Sequence, residues 1–337
     1  MELWCNQKSL HSFPDSKHVI NMDNQSTLTE FILLGFNVSQ NYKNLIFVIF
    51  LITYVITVTG NILIFGLVCS SNSLHTPMYV LLCNLSLSEI FFTTTTAPNM
   101  MHLVLNDIKK MSLAGCLIQL YLFASLATTD CLLLAVMSYD RYLAICNSLR
   151  YNSLIDISLC IKMAIWCWAA GFGFMFTLVV RVGNLRFCGP KYIDHFMCDF
   201  SPIITLSCSD TSTVQIQSFI LTVIVVLLPF MIIIVSYMFI LGTIFSISSV
   251  IRRQKVFSTC SSHLMVVSMY YGTLLAIYLA PSKGQSTNVN KIFSLLYTVV
   301  TPLFNPIIYG LRSKEIQQTL IITLSKCYSL FYKRSLK

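Results

Sequence analysis

Residues 44–88 read NLIFVIFLITYVITVTGNILIFGLVCSSNSLHTPMYVLLCNLSLS, without a single Asp, Glu, Lys or Arg. A membrane helix needs roughly 20 mainly apolar residues to cross about 30 Å of hydrocarbon. This stretch is too long for one crossing, and the polar run from Cys69 to Pro77 divides it. It therefore predicts two spans, near Leu45–Val68 and Met78–Met101. Working outward, charges mark the edges of five more apolar intervals. The third span lies near Leu113–Tyr139 and the fourth between Lys162 and Arg181. The fifth lies near Ile216–Ile240, within the charge-free interval from Thr211 to Ile251. The sixth falls between Lys255 and Lys283, the seventh between Lys291 and Arg312.

Composition agrees with this reading. Of 337 residues, 55% are hydrophobic and 10% charged, and the mean hydropathy is +0.73. A soluble domain carries about 25% charged residues. The chain has too few charges to coat two globules, and its numbers exclude disordered, collagen-like and disulfide-scaffold classes. After Arg312 the pattern changes: Ile316, Leu320 and Leu324 recur every four residues, with Lys314, Glu315, Gln317 and Gln318 on other faces. That is an amphipathic helix suited to a membrane surface. The predicted fold is an all-α membrane protein, a seven-transmembrane helix bundle with a short amphipathic helix after the seventh span. Residues 1–40 form an extracellular segment, 41–311 the bundle, and 312–337 a cytoplasmic helix and tail.

Orientation comes from sequons, cysteines and charges. Residues 1–40 hold no uninterrupted apolar signal segment, so the first span is expected to act as signal anchor. Two glycosylation sequons precede it, at Asn24 and Asn37. A third, at Asn84, falls inside the second span, out of reach of glycosylation. Most of the 13 cysteines lie in spans as small apolar residues. Cys188, Cys198 and Cys208 instead share the loop after the fourth span, and Cys116 sits at the mouth of the third. Their ten-residue spacings are not of the usual metal-binding type. Disulfides among the four, in one of three pairings, place that side and the N-terminus outside. The net charge of +9 then resolves by location. The cytoplasmic side holds 12 Lys/Arg and 3 acids, the outer side 10 and 8, and Glu89 and Asp130 lie within spans. A basic cytoplasmic face against lipid replaces the nucleic-acid reading of that charge.

Glu89 and Asp130 are costly inside a membrane and are functional candidates for that reason. Asp130 lies about three helical turns, or roughly 16 Å, before Arg141. With Asn61, Ser86 and Asn305 the two acids supply oxygens suited to a sodium ion or a shared proton. The plainer alternative is a pair of neutral, hydrogen-bonded acids that fix helix packing. A transporter or channel using both acids as an ion path is a further alternative, and it predicts ion-coupled flux. Asp140–Arg141–Tyr142 closes the third span, and Asn305–Pro306–Ile–Ile–Tyr309 closes the seventh, where the proline permits a kink. Those two endings together argue against an ion path. No nucleophile–base constellation, phosphate-binding Gly loop or zinc motif is present, so no enzyme activity and no cofactor other than the sodium are expected.

At these residues the sequence resembles the rhodopsin-like G-protein-coupled receptors and, within them, the odorant (olfactory) receptors. The subfamily marks are LHTPMY (74–79), MSYDRYLAIC (137–146), Ser236–Tyr237, KVFSTCSSHL (255–264), Tyr271–Gly–Thr273 and PLFNPIIY (302–309) followed by Leu311–Arg–Ser–Lys–Glu315. The resemblance runs from about Met22 to Lys314. Ser148 departs from the proline the family usually has there, Glu89 from an aspartate and Ser313 from an asparagine. Family chains usually begin near Met22, so residues 1–21 read as an extension.

The resemblance implies disulfides Cys116–Cys198 and Cys188–Cys208, which would pin and shape the outer loop as a lid. It implies a ligand wall in the outer half, made of Phe123, Ala124, Ala127, Thr128, Leu221, Thr222, Val225, Tyr271, Leu274, Leu275, Tyr278, Leu295 and Thr298. Such an apolar wall with a few hydroxyls fits a small volatile odorant. It assigns Asp140, Arg141, Tyr142, Tyr237, Asn305, Pro306 and Tyr309 to activation of a heterotrimeric G protein of the stimulatory, olfactory type, which raises cAMP. Arg252, Arg253 and Lys255 would edge the G-protein cleft, besides serving as a positive flank to the sixth span. The implied location is the plasma membrane, of olfactory cilia. A receptor for a non-odorant metabolite is the alternative within the same fold.

Overall fold

The computed structural model describes residues 29–36, 38–188, 191–279 and 287–335. The sequons at Asn24 and Asn37 lie outside them. In chain order, strand β1 (Glu30–Leu34) leads into α1 (Gln40–Ser70) and α2 (Pro77–Asn106). Strand β2 (Ile108–Ser112), α3 (Leu113–Cys146), the single turn α4 (Tyr151–Leu154) and α5 (Ile157–Gly183) follow. The next loop carries β3 (Tyr192–Ile193) and α6 (Phe200–Ile204). Helices α7 (Ser212–Thr222) and α8 (Leu228–Ser246) join through a π-helical stretch, Val223–Leu227, into one fifth span. Helix α9 (Val250–Leu279) is the sixth. Helices α10 (Thr287–Leu295) and α11 (Thr301–Arg312), joined by a second π-helical stretch, form the seventh, and α12 (Lys314–Ser335) completes the chain. The fold is a seven-helix transmembrane bundle followed by an amphipathic helix.

Among the described residues, six of these spans are long and apolar enough to cross a membrane. Helix α9 is as long, at 30 residues, but its first two turns carry Arg252, Arg253 and Lys255. The expectation that the sixth span starts after Lys255 is corrected here. A charge marks where hydrocarbon ends, whereas the backbone hydrogen-bond ladder continues into the interface. For the same reason α1, at 31 residues, is roughly 46 Å long. Helix α3 also runs seven residues past Tyr139, so Asp140–Arg141–Tyr142 sits inside the helix rather than at its end.

Burial ranks the helices. Of the most apolar window of α3, 67% is buried, against 11% for α1, so α3 is the central strut and α1 faces lipid. Close approach is set by two glycines. A Cβ on Gly171 of α5 would stand 2.7 Å from the Ser125 carbonyl oxygen of α3, and one on Gly60 of α1 would stand 2.8 Å from Pro306 Cβ. Only a missing side chain lets α5 approach the α3 backbone and lets α1 approach the Pro306 ring so closely.

One element departs from an all-helical picture. β1 pairs antiparallel with β2, from Glu30 opposite Ser112 to Leu34 opposite Ile108, and parallel with β3 through Ile32–Tyr192 and Leu33–Ile193. Phe31 and Leu33 turn inward and are fully buried. This small sheet caps the disulfide end of the bundle. Helix α12 opens at a break on Ser313, whose Oγ accepts from the Ile316 N–H at 3.2 Å. Ile316 is buried, Leu320 packs against the core and Leu324 is exposed.

Candidate functional site

The cap at the disulfide end is tied down at several points. Cys116 at the start of α3 is bonded to Cys198, and Cys188 to Cys208, with Cα separations of 5.4 and 5.9 Å. Gln119 of α3 accepts the Cys198 N–H at 3.1 Å and donates to the Thr95 carbonyl of α2 at 3.1 Å. Lys291 of α10 is buried, donates to the Gly35 carbonyl at 2.9 Å and pairs with Asp194. One ammonium thus joins the N-terminal segment, the lid loop and the seventh span. Lys43 of α1 pairs likewise with Asp107, whose φ of 62° suits an Asp capping α2. The His195 ring stacks on Phe196 at 4.6 Å and lies 3.2 Å from Ser294 Oγ. Burial holds its pKa below the ordinary histidine range, against the pull of Asp199.

Beneath the cap lies the expected ligand wall. Phe123, Thr128, Leu221, Val225, Tyr271, Leu274 and Thr298 are buried; Ala124, Ala127, Thr222, Leu275 and Leu295 are half-buried. The Tyr278 side chain falls outside the described residues. Phe123 stacks on Phe92 at 5.1 Å and meets Tyr297 edge-on at 6.0 Å. Tyr271 stacks on Phe230 at 5.0 Å and donates to the Cys131 carbonyl at 3.3 Å. Its neighbour Tyr270, one helical step round, donates to the Ala127 carbonyl at 2.7 Å and lies 3.1 Å from the Tyr297 hydroxyl. Sequence reasoning missed Phe92, Tyr270 and Tyr297. Tyr270 was within reach, because adjacent tyrosines on one helix turn about 100° apart and serve two faces.

At mid-bundle, Asn61, Ser86, Ser88, Glu89, Asp130 and Asn305 are all buried. Asn305 donates its amide to Glu89. Asn61 Oδ1, Glu89 Oε2, Asp130 Oδ1, Asn305 Oδ1 and the Ser88 hydroxyl lack a partner among the described residues. These side chains form a buried polar cluster with unpartnered oxygens. Among the described residues no group of three or more His, Cys, Asp or Glu is placed to hold a metal ion. Asn84 is half-buried in α2 and accepts from Trp168 Nε1 at 3.2 Å, consistent with a sequon shut inside the bundle.

At the opposite end Asp140 is fully buried and accepts from Arg141 Nε at 3.0 Å and from the Tyr151 hydroxyl at 2.7 Å. Burial and this carboxylate push the Tyr151 phenol above its usual range, so it stays a donor. The Tyr237 hydroxyl of α8 lies 2.7 Å from His263 Nδ1 of α9. Tyr309 of α11 is buried with its hydroxyl unpartnered. Arg141, His263 and Tyr309 border one cavity of about 320 Å³. Tyr142 is not among them; its ring packs on Phe239, 5.7 Å away. His263 is a fourth omission of sequence reasoning, although it stands in the quoted run 255–264. Pro306 serves the contact with Gly60 rather than the cavity.

The family model described as "Olfactory receptor" matches residues 50–327. The chain belongs to the olfactory receptor family. It is 46% identical to human olfactory receptor 11A1 over 87% of this chain and 93% of that one. Human olfactory receptor 6B1 is 41% identical, over 89% and 96% of the two chains. Rat olfactory receptor 1468 is 38% identical, over 90% and 97%. Among solved structures, squid rhodopsin superposes with a TM-score of 0.68 at 14% identity, covering 86% of this chain and 87% of that one; that likeness concerns the fold. The olfactory receptor is therefore a multi-pass, G-protein-coupled odorant receptor and not an enzyme.

Proposed function

We propose that the receptor binds a small, largely apolar volatile ligand in the disulfide-capped half of the bundle, with that half and the N-terminus outside the cell. The wall from Phe123 to Thr298 would enclose the ligand, and its hydroxyls would orient one hydrogen-bonding group. The sheet, the two disulfides and the Lys291 tie would form the lid. The observation that carries the proposal is the division of the bundle into two unlike halves. One is aromatic and aliphatic under a lid, and the other holds Arg141, His263 and Tyr309 around an open space, with Tyr237 behind His263.

Activation is a population shift between two packings. Ligand near Tyr271 would favour outward movement of the Arg253 end of α9. Tyr237 and Tyr309 would then rearrange about Arg141 and admit a helix of a stimulatory, olfactory-type G protein, raising cAMP. A sodium ion in the mid-bundle cluster would bias the resting packing. The unpartnered oxygens of Asn61, Glu89, Asp130 and Asn305 support this, because oxygen ligands suit a hard cation. The plasma membrane of olfactory cilia is the proposed location. The test is a cAMP reporter in cells displaying the receptor, exposed to a broad odorant panel. At least one odorant should raise cAMP; silence across the panel despite verified surface display contradicts the proposal.

A further inference from the structure

The cavity at the Arg141 end is bounded by α2, α3, α9, α11 and the start of α12. Its volume of about 320 Å³ sits at the small end of ligand pockets. Two of its polar groups are built in, and each keeps one polar atom without a partner among the described residues. His263 is 3% exposed and Tyr309 4% exposed, and neither His263 Nε2 nor the Tyr309 hydroxyl has a partner among the described residues. Buried polar atoms are rarely left so in a folded protein. The Arg141 guanidinium also lines the cavity, a pure donor with five N–H groups, of which Asp140 takes two. Across the cavity Glu315 accepts from the Tyr79 hydroxyl at 3.2 Å. Met78 and Met137 supply apolar, polarizable surface between them.

This arrangement selects a ligand class. A carboxylate would satisfy Arg141 but face Glu315, and an ammonium would satisfy Glu315 but face Arg141. A neutral group with a carbonyl acceptor and an N–H donor side by side meets both. It also meets His263 Nε2 in either tautomer, and Tyr309, which donates or accepts. The methionines favour a flat ring attached to that group. We propose that this cavity is a binding site for small aromatic carboxamides, and that their binding holds the receptor in the packing described here.

The second half of the proposal rests on the signalling reading above. The Tyr237–His263 contact joins α8 to α9, and Tyr309 belongs to α11. Outward movement of α9 would separate His263 from Tyr309. A ligand bonded to both favours the closed packing and shifts the population toward it. It would lower the ceiling of the odorant response without competing for the outer wall.

The test uses the full-length receptor in lipid nanodiscs with carbon-13 methyl-labelled methionine, and benzamide as the probe. The expected result is a saturable shift of the Met78 and Met137 resonances, with Met100 and Met175 unmoved. His263→Phe and Glu315→Gln should each weaken binding roughly three- to tenfold, the effect of one lost hydrogen bond. Unchanged Met100 and Met175 resonances verify that each variant is folded; if His263→Phe does not fold, Glu315→Gln carries the comparison. No shift at Met78 and Met137 up to the solubility limit overturns the proposal. So does a shift confined to Met100 or Met175, or binding undiminished in the folded variants. The cAMP reporter separates this from the signalling reading. Odorant-evoked cAMP without benzamide binding refutes the site alone, whereas benzamide binding in a receptor that no odorant activates supports the site and refutes the signalling reading.

Discussion

The tie at the capped end makes an asymmetric prediction. Lys291 and Asp194 form one ion pair, but the lysine side chain is 4% exposed and the aspartate 42%. Breaking a buried pair costs about 3–5 kcal/mol when the group left behind stays buried and charged. In Asp194→Ala that group is the Lys291 ammonium, which among the described residues keeps the Gly35 carbonyl at 2.9 Å. The expected loss is therefore near the lower end, about 3 kcal/mol. In Lys291→Met the group left behind is Asp194, which water can reach. The methionine retains the stem volume, and the loss reduces to the hydrogen bonds of the ammonium, about 1–2 kcal/mol. With both changes together no buried charge is stranded, so the double variant should resemble Lys291→Met and be more stable than Asp194→Ala. Unfolding of the three variants in nanodiscs, followed by tryptophan fluorescence against temperature, gives the order directly. If Lys291→Met destabilises as much as Asp194→Ala, or if the double variant shows the sum of the singles, the reasoning from unequal burial fails.

Other consequences follow from the same geometry. Burial keeps His195 neutral, with Asp194, Asp199 and Lys291 the charged groups acting on it. As pH falls below about 6.5 the unfolded chain binds a proton that the folded ring refuses, so stability should drop until the lower folded pKa is passed; melting from about pH 7.5 to about pH 5.5 should show this slope, and His195→Asn should make it shallower. Gly171→Ala drives a methyl into the Ser125 carbonyl of α3 and should cost about 1–3 kcal/mol, read as a lowered melting temperature. Glu89→Gln should abolish any rise in melting temperature that sodium gives over an equal concentration of a bulky organic cation, because one carboxylate ligand is gone; an unchanged sodium response would exclude Glu89 as a ligand and favour the neutral-acid alternative.

The helical part of the fold was legible because lipid imposes one rule on every span. Long apolar intervals read as helices because each backbone polar group must be paired within the segment, so the spans follow from where Lys, Arg, Asp and Glu are scarce, although Glu89 lies in the second and Asp130 in the third. Their ends were less legible. Lys255 and Tyr139 were read as boundaries, yet both lie within continuous helices, since interfacial water tolerates charge without stopping a helix. The strand Glu30–Leu34 left no periodic mark. Its partners, Ile108–Ser112 and Tyr192–Ile193, are remote in the chain, and sheet register is a property of tertiary contact. Buried Lys291 illustrates the same limit. As a letter it marked the edge of a span; in the fold it is held at that edge by Asp194, some hundred residues away in a loop. The mid-bundle acids were conspicuous because charge in a membrane is rare. His263 and Tyr297 were not, because a histidine or tyrosine in an apolar helix gives no hint of which face it occupies.

The central claim is that ligand in the capped half acts through Arg141 at the other end. The most direct measurement is the odorant dose–response in cAMP for wild type and Arg141→Ala at matched surface density. The predicted result is loss of odorant-evoked cAMP in the variant with odorant binding retained. Full signalling by Arg141→Ala would contradict the account.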